Sequence, residues 1–308
     1  MKIHHRIERP ATERPLVLAI GFFDGLHRGH REILRTLLRL RRPGFRAAVL
    51  TFSNHPSTHL RPDKVPPLLT TVEERVNLLA ATGIDELFLI PFDERIARVD
   101  AQAFCDDIVY GVLRARALVI GENFRFGAGR RGDATLAREA LEAHAVEVIA
   151  VPPLTDRDER ISSTRVRAAV LRGDMETANR LLGESYAVTG RVVIGEGRGH
   201  DLEFPTANLA VPPGKSLPGD GVYAVVARYD GRDYPGLVSI GTNPTFNGGT
   251  RTVEAWLLDF QSTIYGEQLT LRDFRFIREQ RKFESVQELL AAMREDATHV
   301  RFPSFLPV

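Results

Sequence analysis

Five short apolar runs punctuate the first part of the chain: Leu16–Ile20, Arg46–Phe52, Glu86–Ile90, Ala117–Ile120 and Val146–Val151. Amphipathic stretches near 28–41, 71–82, 101–114 and 133–144 separate them and read as helices. Thr71 with Glu74 is a capping-box pattern, and Gly83 is a stop signal for that helix. Short apolar strands alternating with helices predict an α/β, Rossmann-like domain with a parallel sheet covered on both faces. In such sheets ligands sit beyond the carboxyl ends of the strands. A further helix is expected over Arg165–Leu182. Beyond Gly183 the pattern turns to alternation, in Ala187–Ile194, Val222–Tyr229, Tyr234–Ile240, Thr252–Leu258 and Leu269–Ile277. Turns such as Pro218-Gly219-Asp220-Gly221, Asp230-Gly231 and Asn247-Gly248-Gly249 set these runs apart. That pattern predicts a small antiparallel β-barrel as a second domain, followed by a C-terminal helix over Ser285–Arg294. The expected domains are residues 1–183 and 184–308.

Composition narrows the function classes. The 308 residues are ample for two cores, with 43% hydrophobic and 26% charged residues, as in globular proteins. Lys and Arg number 41 against 40 Asp and Glu, so no global field attracts nucleic acid or a membrane surface. Cys105 is the only cysteine, which excludes an internal disulfide and a cysteine-based zinc site. No stretch approaches the length of a membrane span, and the first residues do not form a signal peptide. The expected location is cytoplasmic. The sequence leaves homo-oligomer formation open.

The strongest chemical signal follows the first long apolar run. Gly21-Phe22-Phe23-Asp24-Gly25-Leu26-His27-Arg28-Gly29-His30 leads from Leu16–Ile20 into the helical pattern at Arg31. Strand, glycine-rich loop and helix N-terminus form a phosphate cradle, in which backbone N–H groups point at the anion. Gly21, Phe22, Asp24 and Gly29 are the candidate cradle residues. His27 and His30, three apart on a first helical turn, project to one side. No Gly-Lys-Ser/Thr follows, so this is not a Walker loop, and the histidines occupy positions where a dinucleotide fingerprint needs small residues.

Two further stretches fall at the same predicted sheet edge. One is Gly121-Glu122-Asn123-Phe124-Arg125-Phe126-Gly127, and the other runs from Arg160 through Ser162, Ser163 and Thr164 to Arg167. Hydroxyls and arginines at a helix start make a phosphate clamp as readily as an N-cap. The barrel half has its own glycine turn, Gly195-Glu196-Gly197-Arg198-Gly199, before Phe204-Pro205-Thr206-Ala207-Asn208. Amides in such a turn suit phosphates, and the Thr206 and Asn208 oxygens suit a metal. Glu254, in Val253-Glu254-Ala255, is the candidate carboxylate base.

His-x-Gly-His after a strand resembles the signature of the nucleotidyltransferase superfamily. With the barrel motifs added, nearly the whole chain resembles the bacterial bifunctional riboflavin kinase/FAD synthetase family. The resemblance implies an α/β nucleotide-binding domain joined to a six-stranded barrel. It implies that riboflavin is phosphorylated to FMN and FMN is adenylylated to FAD, with ATP and Mg²⁺ in both steps. By the same resemblance, His27 and His30 contact the ATP phosphates, and Asn123, Arg160, Ser163, Thr164 and Arg167 complete the nucleotide site. Thr206 and Asn208 hold Mg²⁺ and ATP in the barrel, and Glu254 accepts the proton of the ribityl 5′-hydroxyl.

Two positions depart from the family pattern. Glu203 stands where glycine usually precedes Phe-Pro-Thr-Ala-Asn, and Ser53-Asn54-His55-Pro56 replaces x-Pro-His-Pro. A carboxylate where the family has glycine would repel ATP phosphates, which sets an alternative: a nucleotidyltransferase on FMN alone, its weak or inactive kinase barrel a flavin-binding module.

Overall fold

The computed structural model describes residues 1–9, 14–194, 206–242 and 251–300. It divides into two compact units, Met1–Ser163 and Thr164–Val308. Gly195, Gly197, Glu203 and the Asn247-Gly248-Gly249 turn lie outside the described residues.

In the first unit, strands β1 (Lys2–His4), β2 (Leu16–Ile20), β3 (Arg46–Phe52), β4 (Glu86–Ile90), β5 (Ala115–Gly121) and β6 (Glu147–Val151) form one sheet. The order is β1-β4-β3-β2-β5-β6 and every pairing is parallel. The side chains of β2 show why both faces need cover. Leu16, Leu18 and Ile20 pack with Phe104, Val109, Ala137 and Leu141 on one side. Val17 and Ala19 pack with Leu34, Leu37 and Leu79 on the other. The chain winds from β2 toward β3 and β4 in one direction and resumes at β5 in the other. That reversal leaves a crevice at the carboxyl ends of β2 and β5, where ligands bind in open α/β sheets.

Three corrections to the sequence expectations arise here. Lys2–His4 is a strand, because His4 is buried, stacks on Phe88 at 4.6 Å and bonds Glu86 at 3.1 Å. The helix expected over 101–114 is α-helical only at Ala101–Ala103. From Phe104 to Val112 it widens to π-helix, with Leu113 N–H reaching the Ile108 carbonyl five residues back at 2.9 Å. The helix expected over Arg165–Leu182 is two helices, Ser163–Leu171 and Met175–Leu182. Gly173 takes φ 74°, and Asp174 caps the second helix by accepting from Thr177 N at 3.0 Å.

These two helices belong with the barrel, apart from Ser163 itself. Gly219 N donates to the Val170 carbonyl at 3.1 Å, and Tyr186 N to Asn179 Oδ1 at 2.8 Å. The barrel closes through β9 (Val188–Val193), β10 (Ala207–Ala210), β11 (Gly221–Tyr229), β12 (Arg232–Thr242), β13 (Arg251–Leu257) and β14 (Gln268–Arg278). Its order is β10-β13-β12-β11-β14-β9, antiparallel throughout. The sixth strand, β10, is short and lacks β-branched residues, so the alternation rule passes over it. Helix Val286–Thr298 runs beyond the expected Arg294 and packs Ala297 on Ala224, Leu237 and Leu258.

Candidate active site

The Gly21–His30 loop leaves β2 at the crevice and is held in an improbable backbone shape. Phe23, Gly25 and Leu26 have φ of 56°, 75° and 41°. For Phe and Leu that region costs free energy and persists only where surroundings enforce it. Both side chains are fully buried. Asp24, also buried, fixes the loop from below: its carboxylate accepts from Leu69 N at 2.9 and 3.1 Å, Thr70 N at 2.9 Å and Thr70 Oγ1 at 3.1 Å. Gly25 N donates to Thr70 Oγ1 at 3.2 Å, and Ser163 Oγ donates to the Asp24 carbonyl at 2.9 Å. The Asp24 side chain thus serves the loop's shape.

Asp24→Ala is expected to lower unfolding free energy by about 3 kcal/mol, because buried N–H groups at 69–70 lose an anionic acceptor. Urea unfolding measures this, and a loss below about 1 kcal/mol would contradict the latch.

His27 is the N-cap of helix Arg28–Leu40, and its Nδ1 accepts from His30 N at 3.2 Å. Accepting at Nδ1 places the neutral ring's proton on Nε2, turned away from the helix turn. The His27 and His30 rings stack at 3.7 Å and 15°, as their spacing predicts. Gly29 makes this possible, since a Cβ there would press on the His27 ring at 3.2 Å. His30 also meets the Phe23 ring edge-on at 5.2 Å, and its Nδ1 is buried without a hydrogen-bond partner among the described residues.

Burial pushes the His27 imidazole down to about 4, with the Arg160 cation adding to the shift and Asp24 opposing it. Burial holds His30 well below its ordinary value too, assisted by His27, Arg75 and Arg160. Both rings are therefore neutral hydrogen-bond donors near pH 7. An unfolded histidine titrates near 6.5, so as pH falls the unfolded chain takes up the proton first. Stability is full above 6.5 and is lost between 6.5 and about 4, by about 3 kcal/mol from His27. Between pH 7 and pH 4.5 the native protein is expected to lose about that much more than His27→Gln in urea unfolding. Equal losses would refute the buried neutral ring.

One residue of this site carries no local signal in the sequence. Arg75, on the first turns of helix Val72–Ala81, is fully buried. Its guanidinium donates to the Phe22 carbonyl at 3.2 Å and the Phe52 carbonyl at 2.7 Å, and lies 4.4 Å over the Phe22 ring. It thereby ties the loop after β2 to the end of β3. Burial lowers it to about 10, still cationic at neutral pH. Phe22 also meets His55 edge-on at 4.8 Å, in the Ser53–Pro56 segment. Asn54 pins that segment by bonding both the N–H and the carbonyl of Phe92, at 2.7 and 2.9 Å.

The remaining candidates of the first unit lie around this edge. Asn123 is exposed in the turn after β5, whose Glu122 N donates to the Val151 carbonyl at 2.9 Å. Arg160 ends a two-stranded hairpin, β7 (Thr155–Asp156) and β8 (Glu159–Arg160). Arg157 and Asp158 both take positive φ, the two-residue turn suited to hairpin twist. Arg28 reaches Asp156 at 3.8 Å and ties the hairpin to the histidine helix. Ser163 is half-buried; Thr164, exposed, and Arg167, 9% exposed, fall in the second unit.

In the barrel, register sets Asn208 of β10 opposite Glu254 of β13. Both are half-buried, and Thr206 directly precedes β10. The described residues hold no group of three or more His, Cys, Asp or Glu suited to a metal.

Fold and site define an α/β nucleotidyltransferase-type domain followed by an antiparallel, riboflavin kinase-like barrel. Comparison with known proteins agrees on both halves. The FAD synthetase family model matches residues 9–165, and the riboflavin kinase model matches residues 182–302. The bifunctional riboflavin kinase/FMN adenylyltransferase of Escherichia coli (strain K12) is 36% identical over 301 residues, 97% of this chain and 95% of that one. Its counterpart in Bacillus subtilis (strain 168) is 34% identical over 298 residues, 95% and 93% of the two chains. A solved Streptococcus pneumoniae structure, described as a macrolide-efflux protein, matches with TM-score 0.88 at 31% identity, covering 98% and 99%. Efflux is said of that protein alone; among the described residues here no helix is long and apolar enough to cross a membrane. The chain belongs to the bifunctional riboflavin kinase/FMN adenylyltransferase family: it is a riboflavin kinase and an FMN adenylyltransferase of FAD biosynthesis. The single-activity alternative is not favoured.

Proposed function

We propose that residues 1–183 carry FMN adenylylation and residues 184–308 carry riboflavin phosphorylation, with roles divided as follows. In adenylylation an FMN phosphate oxygen attacks the α-phosphorus of ATP, a new P–O bond forms, and the Pα–O bond to pyrophosphate breaks. Negative charge grows on the non-bridging and leaving oxygens, where preorganised neutral donors act without reorganisation. His27, its Nδ1 occupied by His30 N, turns Nε2–H toward that charge. His30 stacks behind it, and backbone at Gly21, Phe22 and Gly29 lets phosphate approach closely. Arg160 supplies positive charge from the adjacent hairpin, and Asn123 and Ser163 border the same loops. Thr164 and Arg167 are assigned to the phosphates by sequence resemblance.

In the barrel, Glu254 accepts the proton of the ribityl 5′-hydroxyl as that oxygen bonds the γ-phosphorus of ATP and the Pγ–O bond to the leaving ADP breaks. The Thr206 hydroxyl and Asn208 carboxamide are hard oxygen donors, and they fit Mg²⁺, which takes few protein ligands and shares substrate phosphates. Bound there, Mg²⁺ would neutralise charge between ATP phosphates. Gly195 and Gly197 belong to the same nucleotide-binding turn by resemblance. A net charge of +1 supports small-molecule substrates rather than nucleic acid, and the single cysteine fits a cytoplasmic enzyme.

The stacked, neutral His27–His30 pair on a latched strand-end loop is the observation that carries the transferase reading. The full chain is incubated with riboflavin, ATP and Mg²⁺, and the flavins are separated over time. Riboflavin passing through FMN to FAD is expected. FAD from supplied FMN but none from riboflavin would overturn the kinase assignment and point to Glu203.

A further inference from the structure

The kinase reading leaves part of a polar row on the outer face of the barrel unused. Asn208 opposes Glu254, and Glu254 in turn opposes Ser239 of β12. Opposed residues of a ladder share a face, with Cβ atoms about 4.5–5.5 Å apart. Their strand neighbours Leu209, Val253, Ala255, Val238 and Ile240 are buried in the barrel, so the row points outward. All three polar residues are half-buried. One pair further along the same face, Leu237 and Trp256 lie against Ala297 and Val300. The row is thus a polar notch beside a helix-covered apolar patch.

Ser239 is fixed there by a residue from another strand. Gln280, just past β14, donates from Nε2 to Ser239 Oγ at 2.7 Å. Gly241, two residues along the same face, leaves room for this, because a Cβ there would run into the Gln280 amide. A hydroxyl that accepts one hydrogen bond keeps its proton to donate. Among the described residues no other hydrogen bond engages Ser239 Oγ.

We propose that Ser239, held by Gln280, recognises the polyol chain of the flavin by donating a hydrogen bond to the secondary hydroxyl next to the one phosphorylated. This rests on the reading of Glu254 as the base at the terminal hydroxyl. A carboxylate and a hydroxyl on adjacent strands then take vicinal oxygens of one chain: Glu254 accepts a proton, and Ser239 donates one. The geometry makes Ser239 a determinant of substrate specificity rather than of the chemical step.

The test uses the full chain, riboflavin, and a riboflavin analogue lacking the 4′-hydroxyl. Ser239→Ala is expected to raise KM for riboflavin about three- to tenfold, the effect of one neutral hydrogen bond, with kcat little changed. The analogue should lose a similar factor in the native enzyme and nothing further in Ser239→Ala. Gln280→Ala should reproduce part of the KM increase, and the near-native kcat of riboflavin phosphorylation reports that the barrel of each variant is folded. Independent, multiplicative losses from variant and analogue would overturn the contact, as would an unchanged KM in Ser239→Ala. Glu254→Gln is measured beside them. Coupling together with an active Glu254→Gln would remove the base assignment and keep the contact; no coupling with an inactive Glu254→Gln would do the reverse.

Discussion

Glu254→Gln is expected to lower riboflavin phosphorylation about 10²- to 10⁴-fold while FMN adenylylation continues at its native rate. The substitution preserves size and hydrogen-bonding shape but removes the basic carboxylate, so the attacking hydroxyl loses its proton acceptor. Strand β13 itself should be unaffected. Its ladder bonds are backbone bonds, its inward residues Val253, Ala255 and Leu257 stay in place, and the 254 side chain lies on the outer face. The effect should fall on kcat rather than on KM, as for an interaction made chiefly in the transition state. Asn208→Ala, across the ladder from Glu254, should instead raise the Mg²⁺ and ATP concentrations needed for half-maximal phosphorylation. Native kinase turnover in Glu254→Gln would refute the base.

Local pattern and tertiary position account for what was legible in the chain. Leu16–Ile20, Arg46–Phe52 and Glu86–Ile90 are strands over those residues because central parallel strands are buried on both faces and read as unbroken apolar runs. The Thr71–Glu74 capping box forms as expected, since its partners are adjacent in sequence. His27 and His30 come together for the same reason. Arg75 stayed hidden because an arginine on the first turns of an amphipathic helix reads as solvated. Only the carbonyls of Phe22 and Phe52, far off in sequence, make it a buried strut. Ser239 and Gln280 are likewise joined only because β12 and β14 flank β11, 41 residues apart. Asp24 was legible as part of the loop, but the 69–70 backbone that occupies its carboxylate was not.

His27→Asn and His30→Asn are each expected to lower FMN adenylylation about 10²-fold or more, the scale for removing one preorganised donor at a developing oxyanion. Riboflavin phosphorylation should persist in both. Asparagine is chosen at 27 because the side chain has a second duty: its Nδ1 caps the helix by accepting from His30 N. An Asn oxygen can keep that cap, so His27→Asn separates catalysis from helix stability, whereas His27→Ala would add about 1 kcal/mol of capping loss. His30 has no capping duty, so His30→Asn tests the donor and the ring stack alone. Both rings titrate well below the ordinary histidine value, so they should add no ionisation to kcat/KM between pH 6 and 8, and any fall near pH 6 set by the FMN phosphate should be the same in both variants. A decline through 6.5 that disappears in the variants would instead make an imidazolium the active form. That outcome would overturn the neutral-donor mechanism while leaving the histidines in the site.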